Sequence, residues 1–452
     1  MPSSTLQDLW INWRNCLAKK TYPFFYFTYS LVSFRNSISL IYETKLVSVI
    51  HIFKEIYTEE IVLVYDFDKI IDRTSTNSTK WSTMKARKGS DDLIPLWIAD
   101  MDFACPPEVV EAVKERAAHP IYGYTVPPES YYSGLINWMN KRHGWSGIQK
   151  EWILYTPGVV AGFSIAIQAY SHPGDKVVIQ PPVYHPFKRQ ILSTGRQIVE
   201  NPLKIIDDYY VMDFEDLSDK IDNRTKMIIF CSPHNPVGRV WRREELEELV
   251  DICVEKDIII VSDEIHNDLI LGDIKHTPTA IISEEAMRRT VTLIAPSKTF
   301  NLAGLTNGNA IIPNQKLRED FQSVAAKASG HSNIFGVVAQ DAAYNKGEAW
   351  LDELLVYLRG NLNYFKAFVE DKIPKLRLFP LEGTYLAWVD CSSLGLSVDE
   401  LQEFMLKKAK LWLNEGAMFG SGGELFMRIN LACPRSILKQ ALENLEKAVN
   451  EL

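Results

Sequence analysis

The stretch IAPSKTFNLAGL, residues 294–305, places Lys298 directly after a run of apolar residues. That run, from Val291 to Ala295, predicts a buried strand. A lysine between a buried strand and an apolar turn becomes nucleophilic when desolvation lowers the pKa of its amine, and the usual product is a Schiff base with a carbonyl compound. The alternative is a lysine whose ammonium group reaches solvent from the strand end. The other distinctive stretches of the chain favour the nucleophile.

The composition is that of an ordinary globular chain. Its 452 residues can form one large core or two cores, and 46% are hydrophobic. The net charge of −8 and the absence of a long Lys/Arg block argue against nucleic acid as a partner. The six cysteines include no CxxC pair, which favours a reducing cytoplasm.

The first 64 residues differ from the rest, because they contain an aromatic cluster and no glycine. Their apolar run from Tyr22 to Phe34 is shorter than the ~20 residues of a membrane-spanning helix, so no membrane partner is expected. Two explanations stay open for this segment: an added helical arm, or upstream sequence included through a mistaken start.

Between residues 150 and 312, short apolar strands alternate with helices. Such alternation indicates an α/β domain with a mainly parallel sheet, whose ligands bind beyond the carboxyl ends of the strands. After residue 313 helices dominate, and a few short strands predict a smaller α+β domain. The predicted strands of the first region are 152–155, 176–180, 226–231, 258–261, 291–295 and 309–312.

Two stretches place polar side chains after predicted strands. In VSDEIHND, residues 261–268, Asp263 ends a buried strand, where a carboxylate needs a partner. A protonated ring nitrogen would serve, and the alternative is an aspartate that caps the next turn. In FCSPHNPVG, residues 230–238, Asn235 stands in a rigid turn with two prolines. It either donates a hydrogen bond to a phenolate oxygen or is simply a turn residue.

Two further stretches suit an anionic, planar ligand. In TPGVVAG, residues 156–162, the amides of Val159 and Val160 open a helix and can bind an anion, although a plain strand-to-helix turn is the alternative. In QPPVYHPF, residues 180–187, Tyr184 follows a strand, where its ring can stack on a planar cofactor.

The order of these motifs resembles that of the fold-type I pyridoxal-phosphate enzymes. The sequence looks like the class I/II aminotransferase superfamily, and ADMDF, YGYT, SDEIH, SKTFNLAGL and CPR most resemble the MalY/PatB group of cystathionine β-lyases. The resemblance begins at about Tyr65 and continues to the C-terminus. It implies an α/β fold with a large cofactor-binding domain at 113–350, a small α+β domain built from 65–112 and 351–452, and an extension, residues 1–64, outside the match.

The resemblance also implies roles for individual residues. Lys298 resembles the lysine that binds pyridoxal 5′-phosphate and moves the Cα proton. Arg428, in FMRIN, resembles the arginine that holds the substrate α-carboxylate in a bidentate grip, and the alternative is a surface arginine at a strand end. Tyr124 resembles a phosphate ligand from the other subunit, which implies a homodimer. The other implied cofactor contacts are Asp263 to the ring nitrogen, Asn235 to the phenolic oxygen, Tyr184 by stacking, Val159, Val160 and Ser297 to the phosphate, and His266.

The sequence departs from the wider superfamily at three positions. Ala295 lacks the hydroxyl with which many relatives bind the phosphate. Thr306 and His266 stand where aminotransferases often have an arginine and a tyrosine. These last two departures favour a lyase over an aspartate-type transaminase.

The predicted function is therefore a carbon–sulfur β-lyase acting on L-cystathionine or related cysteine S-conjugates, as in methionine biosynthesis. Cleavage would release a thiol such as homocysteine, together with pyruvate and ammonia. One alternative is an aminotransferase of a neutral or aromatic amino acid, since the same residues permit transamination. Another is a regulatory protein that contacts a transcription factor, but binding by itself does not need the complete set of Lys298, Asp263, Asn235 and Arg428.

Overall fold

The computed structural model describes residues 64–328 and 331–452, so the predicted extension lies outside the described residues except for Val64. The strands of the described part are β1 (Ile94–Pro95), β2 (Ile153–Thr156), β3 (Lys176–Ile179), β4 (Gln197–Glu200), β5 (Lys204–Ile206), β6 (Tyr209–Val211), β7 (Thr225–Cys231), β8 (Ile259–Asp263), β9 (Thr290–Ile294), β10 (Gly308–Ile311), β11 (Arg377–Leu378), β12 (Leu386–Asp390), β13 (Leu411–Trp412), β14 (Asn414–Glu415) and β15 (Phe426–Asn430).

The α-helices of the same residues are α1 (Met84–Lys88), α2 (Pro107–Ala118), α3 (Glu129–His143), α4 (Val159–Tyr170), α5 (Pro186–Ser193), α6 (Phe214–Lys220), α7 (Arg243–Glu255), α8 (Glu284–Arg289), α9 (Pro296–Thr299), α10 (Gln315–Ala328), α11 (Ile334–Lys346), α12 (Glu348–Lys372), α13 (Val398–Glu403) and α14 (Arg435–Asn450). No helix in the described part is long and apolar enough to cross a membrane.

A seven-stranded sheet forms the centre, with strand order β2-β10-β9-β8-β7-β3-β4. Strands β9, β8, β7, β3 and β4 are mutually parallel, and β10 runs antiparallel to both β9 and β2. The predicted α/β fold with a mainly parallel sheet is therefore confirmed. The strands are apolar on both faces because both faces are covered. Val177 and Ile229 belong to a core with α4, whereas the adjacent Val178 and Ile228 belong to a core with α7.

The register of the sheet brings the candidate residues together. Cys231 at the end of β7 pairs with Asp263 at the end of β8, and Asp263 pairs with Leu293 of β9. The three strands therefore end at the same edge of the sheet, where Asp263 ends β8, Asn235 follows β7 and Lys298 follows β9. This edge is where parallel α/β sheets bind their ligands.

A second sheet, β11-β12-β15-β14, is antiparallel throughout and lies later in the chain. Its strand β15 carries Arg428, which pairs in register with Trp388 of β12 and Asn414 of β14. A short parallel pair of β1 with β13 joins residues near 95 to this region. The division into a large and a small domain at the predicted boundaries stays a prediction.

Candidate active site

A cavity of about 420 Å³ opens at the carboxyl edge of the central sheet. Its lining includes side chains from the turns after β2, β3, β7, β8 and β9, together with residues of β14 and β15. Nine of the ten candidate residues line it, namely Val159, Val160, Tyr184, Asn235, Asp263, His266, Ser297, Lys298 and Arg428. The motifs thus converge on one site, as the sequence predicts.

Lys298 lies on the short helix α9, which follows β9 and has Pro296 in its first turn. Its amine donates a hydrogen bond to the backbone carbonyl of Ala99, which also accepts one from the Tyr385 hydroxyl at 3.0 Å. Burial lowers the pKa of Lys298 to about 8. The amine is therefore neutral in an appreciable fraction of molecules near neutral pH, as a nucleophile or a base requires.

Asp263 is buried at the end of β8, with 3% of its surface exposed. Its Oδ1 accepts a hydrogen bond from the Ile265 amide at 3.2 Å, so the turn-capping alternative is present as well. No cationic side chain forms an ion pair with it among residues 64–328 and 331–452. Burial raises the pKa of Asp263 to about 7, although the charge of Lys298 opposes the rise. A cationic ligand group next to this carboxylate would stabilise its ionised form.

Arg428 is also buried, which excludes the alternative of a surface arginine. Its guanidinium donates to Asn235 Oδ1 at 2.9 Å, to the carbonyl of Trp97 at 2.8 Å and to Asn414 Oδ1. Its Nε is buried without a partner, and no carboxylate of the described chain pairs with it. A buried guanidinium held by neutral groups retains the capacity to bind a carboxylate.

These contacts also orient Asn235. Because its Oδ1 accepts from Arg428, the amide Nδ2 is the atom left to donate to a ligand. The proposed donor role towards a phenolic oxygen therefore requires no rearrangement of the side chain.

The start of α4 has the features of an anion site. Gly158 is the residue that precedes the helix, and its φ is 98°. Residues other than glycine rarely adopt this backbone conformation. No side chain in the part of the chain that the structure describes caps this terminus, so the amides of Val159 and Val160 are available to an anion. Ser297 lines the same cavity and supplies a hydroxyl, whereas Ala295 precedes α9 and supplies none.

Tyr184 and His266 line the cavity as uncharged rings. Burial raises the pKa of the Tyr184 hydroxyl, and its ring lies edge-on to Phe187 with centroids 5.8 Å apart. Burial lowers the pKa of His266 well below its ordinary value, and its Nδ1 is buried without a partner. The imidazole is therefore neutral and available to a ligand.

Tyr124 is the one candidate that does not line this cavity. Its side chain is 90% exposed, and its ring lies 4.4 Å from that of His331. Tyr124 therefore takes no part in the cavity of its own chain, and its contact with the phosphate of another subunit stays a prediction.

Sequence reasoning missed a buried ion network beneath the ADMDF stretch. Asp102 accepts hydrogen bonds from Lys80 Nζ at 2.6 Å, Arg73 Nη1 at 2.7 Å and Trp81 Nε1 at 2.8 Å. Lys80 is fully buried. The network anchors the segment whose Ala99 carbonyl meets Lys298. The pair of aspartates in ADMDF was a signal that buried cations are needed nearby. Their cationic partners could not be identified from the sequence, because they lie 20 to 30 residues upstream.

Four further lining residues were also missed: Trp97, His185, Arg189 and Asn414. His185 directly follows the predicted stacking tyrosine and Arg189 lies five residues after it, so proximity in sequence was an available signal. Burial lowers the pKa of His185 to about 4, with help from the charges of Arg428 and Arg189.

Comparison with known proteins identifies the family of this chain. The family model "Aminotransferase class I and II" matches residues 91–445. Cystathionine beta-lyase PatB of Bacillus subtilis is 44% identical, with 85% of this chain and 100% of that protein aligned. Protein MalY of Escherichia coli is 32% identical, with 85% and 99% aligned. The pyridoxal-phosphate-bound C–S lyase from Staphylococcus hominis superposes with a TM-score of 0.79 at 36% identity, over 86% of this chain and 99% of that one.

The chain therefore belongs to the aminotransferase class I and II family. Within that family it falls in the MalY/PatB group, as its motifs predict.

Proposed function

We propose that this protein is a pyridoxal-phosphate-dependent carbon–sulfur β-lyase that cleaves L-cystathionine or a related cysteine S-conjugate. The overall reaction consumes one water and releases a thiol, pyruvate and ammonia. The observation that carries the proposal is the cavity. It unites a desolvated lysine, a buried carboxylate and a buried guanidinium, and neither of the last two has an ion-pair partner within residues 64–328 and 331–452. Relatives that are named cystathionine beta-lyase and C–S lyase support the reaction type.

The lining residues fit pyridoxal 5′-phosphate. Asp263 would pair with its ring nitrogen, and Asn235 Nδ2 would donate to its phenolic oxygen. The first amides of α4 and the Ser297 hydroxyl would hold its phosphate, and Tyr184 would stack on its ring. Lys298 would bind it covalently until the substrate amino group takes its place, which would free the Nζ of Lys298. When bound, this cofactor supplies an electron sink for the pair left at the substrate Cα.

The reaction then depends on two side chains of this chain. Arg428 would hold the substrate α-carboxylate, to which its unpaired Nε can donate, and this would fix the Cα–H bond within the cavity. Lys298 Nζ would take the Cα proton as a general base, since burial keeps its pKa at about 8. The Cβ–S bond breaks with its electron pair going to sulfur, and the thiolate becomes protonated on release.

We further propose a homodimer located in the cytoplasm. Ile121, Tyr122, Tyr124 and Val126 are large apolar side chains exposed along one loop, and a second copy of the chain would cover them. The described cysteines are all free, which suits a reducing compartment. A sedimentation mass near twice 51.6 kDa is expected. A fully active monomer would contradict the dimer.

Product analysis on the purified protein tests the reaction. With added pyridoxal phosphate and L-cystathionine, we expect pyruvate and homocysteine in equal amounts without a keto-acid acceptor. Homocysteine as the product would support a place in methionine biosynthesis. Lys298→Ala should abolish turnover and the absorbance of the lysine-bound cofactor. Activity that appears only when a keto acid is supplied would instead identify an aminotransferase.

A further inference from the structure

We propose that Arg189 selects substrates whose leaving thiol carries a carboxylate. This inference rests on the β-lyase function proposed above. Arg189 would contact the half of the substrate beyond the Cβ–S bond. Lys298 and Arg428 would contact the other half, at the Cα proton and the α-carboxylate.

Arg189 lies on α5, five residues after Tyr184, and lines the same cavity as Lys298 and Arg428. It is exposed, so it stands where the cavity meets solvent. A leaving group that extends from the reacting carbon towards solvent would reach this position.

The Arg189 guanidinium has no hydrogen bond or ion pair with any residue of 64–328 or 331–452. The neighbouring Lys188 differs, because its Nζ lies 3.8 Å from Glu200 Oε1 and its side chain does not line the cavity. Of these two cations, Arg189 is the one that lines the cavity and has a guanidinium held by no residue of the described chain, and its planar fork suits a carboxylate.

The electrostatics of the cavity favour an anion at this end. Arg189 and Arg428 each lower the pKa of both Tyr184 and His185, so their charges act on the same part of the lining. Asp263 is the one carboxylate among the described lining residues, and it faces the predicted ring nitrogen. A second carboxylate on the substrate would therefore meet the charge of Arg189, and no carboxylate of the described lining other than Asp263 would repel it.

This arrangement assigns one arginine to each end of a dicarboxylate substrate. Arg428 is buried next to Asn235 and takes the α-carboxylate. Arg189 takes the carboxylate on the sulfur side, as in the homocysteine half of L-cystathionine. The competing role for Arg189 is a contact with the cofactor phosphate, and the experiment separates the two.

The experiment compares holoenzyme kinetics on three cysteine conjugates that differ in the charge of the leaving group. They are S-(2-carboxyethyl)-L-cysteine, S-butyl-L-cysteine and S-(2-aminoethyl)-L-cysteine, with L-cystathionine alongside. Arg189→Gln should lower kcat/KM for the two substrates with a leaving-group carboxylate by about 10- to 100-fold, the range of one hydrogen bond to a charged group. The loss should fall mainly on KM, and S-butyl-L-cysteine should change less than about twofold.

Two variants and one control sharpen the result. Arg189→Lys should restore part of the lost activity, because it restores the charge without the fork. Arg189→Glu should invert the preference, so that the aminoethyl substrate becomes better than the carboxyethyl one. Lys188→Gln removes a charge from the same helix and should leave all four substrates unaffected.

Equal losses on charged and neutral substrates, together with weaker binding of pyridoxal phosphate, would overturn the proposal and assign Arg189 to the cofactor. Unchanged activity of Arg189→Gln on the carboxylate substrates would overturn it as well. In both cases, cleavage of S-butyl-L-cysteine by the wild-type protein would leave the lyase function intact. A wild-type protein that cleaves none of the conjugates would refute the lyase function itself.

Discussion

The buried carboxylate of Asp263 should destabilise the cofactor-free protein, and Asp263→Asn should relieve this. The pKa of the folded-state carboxyl is raised to about 7 by burial, whereas an unfolded chain has its ordinary value near 4. Between these values the folded protein binds the proton and the unfolded chain does not. The free energy of unfolding of the cofactor-free protein therefore falls as pH rises from about 4 to about 7, and levels off above.

The size of the effect follows from the two pKa values. At pH 5 the unfavourable contribution is about 1.5 kcal/mol, and at pH 8 it approaches about 4 kcal/mol, so the difference is roughly 2 to 3 kcal/mol. An asparagine side chain does not titrate, so the stability gained by Asp263→Asn should be larger at pH 8 than at pH 5 by this amount. The comparison isolates Asp263, because other titrating groups are common to both proteins.

Urea denaturation of the cofactor-free wild type and variant at pH 5 and pH 8 measures this difference. With pyridoxal phosphate bound, the advantage of the variant should disappear, because the wild-type carboxylate then has a cationic partner. Activity of Asp263→Asn should fall by at least about 100-fold for the same reason. A stability gain independent of pH, or a wild type more stable at pH 8 through this residue, would refute the reasoning about burial.

Three other predictions concern the same region. Arg428→Lys keeps the charge but loses the fork, and steady-state kinetics should show KM for any substrate raised about 10- to 100-fold with a smaller change in kcat. Lys80→Met leaves the buried Asp102 with Arg73 as its remaining cation, and urea denaturation should show a loss of about 3 kcal/mol. The exposed Lys85→Met should cost less than about 0.5 kcal/mol in the same assay. The rate at which cofactor-free protein incorporates pyridoxal phosphate should rise about tenfold per pH unit below pH 8 and level off above it, because burial lowers the pKa of Lys298 to about 8 and only the neutral amine attacks.

Much of the central fold could be predicted because its signals are local. Runs of apolar residues predicted β7 and β9 within one residue of their observed bounds, and the predicted helix start at Val159 is the observed start of α4. The strands β4, β5 and β6 gave no such signal, since they are short, β5 is exposed, and β4 and β6 are mostly half-buried. The antiparallel direction of β10 also depends on its neighbours β2 and β9 rather than on its own residues.

The sequence by itself determined that Asp263 ends a buried strand and that Asn235 and Lys298 follow buried strands within a few residues, and the parallel arrangement brings these strand ends together. Only the tertiary structure decided that Arg428 is buried against Asn235, that Lys80 pairs with Asp102, and that Arg189 has no partner among the residues described. These contacts join residues as far as 193 positions apart. Their energies depend on burial and distance, which local residue patterns do not specify.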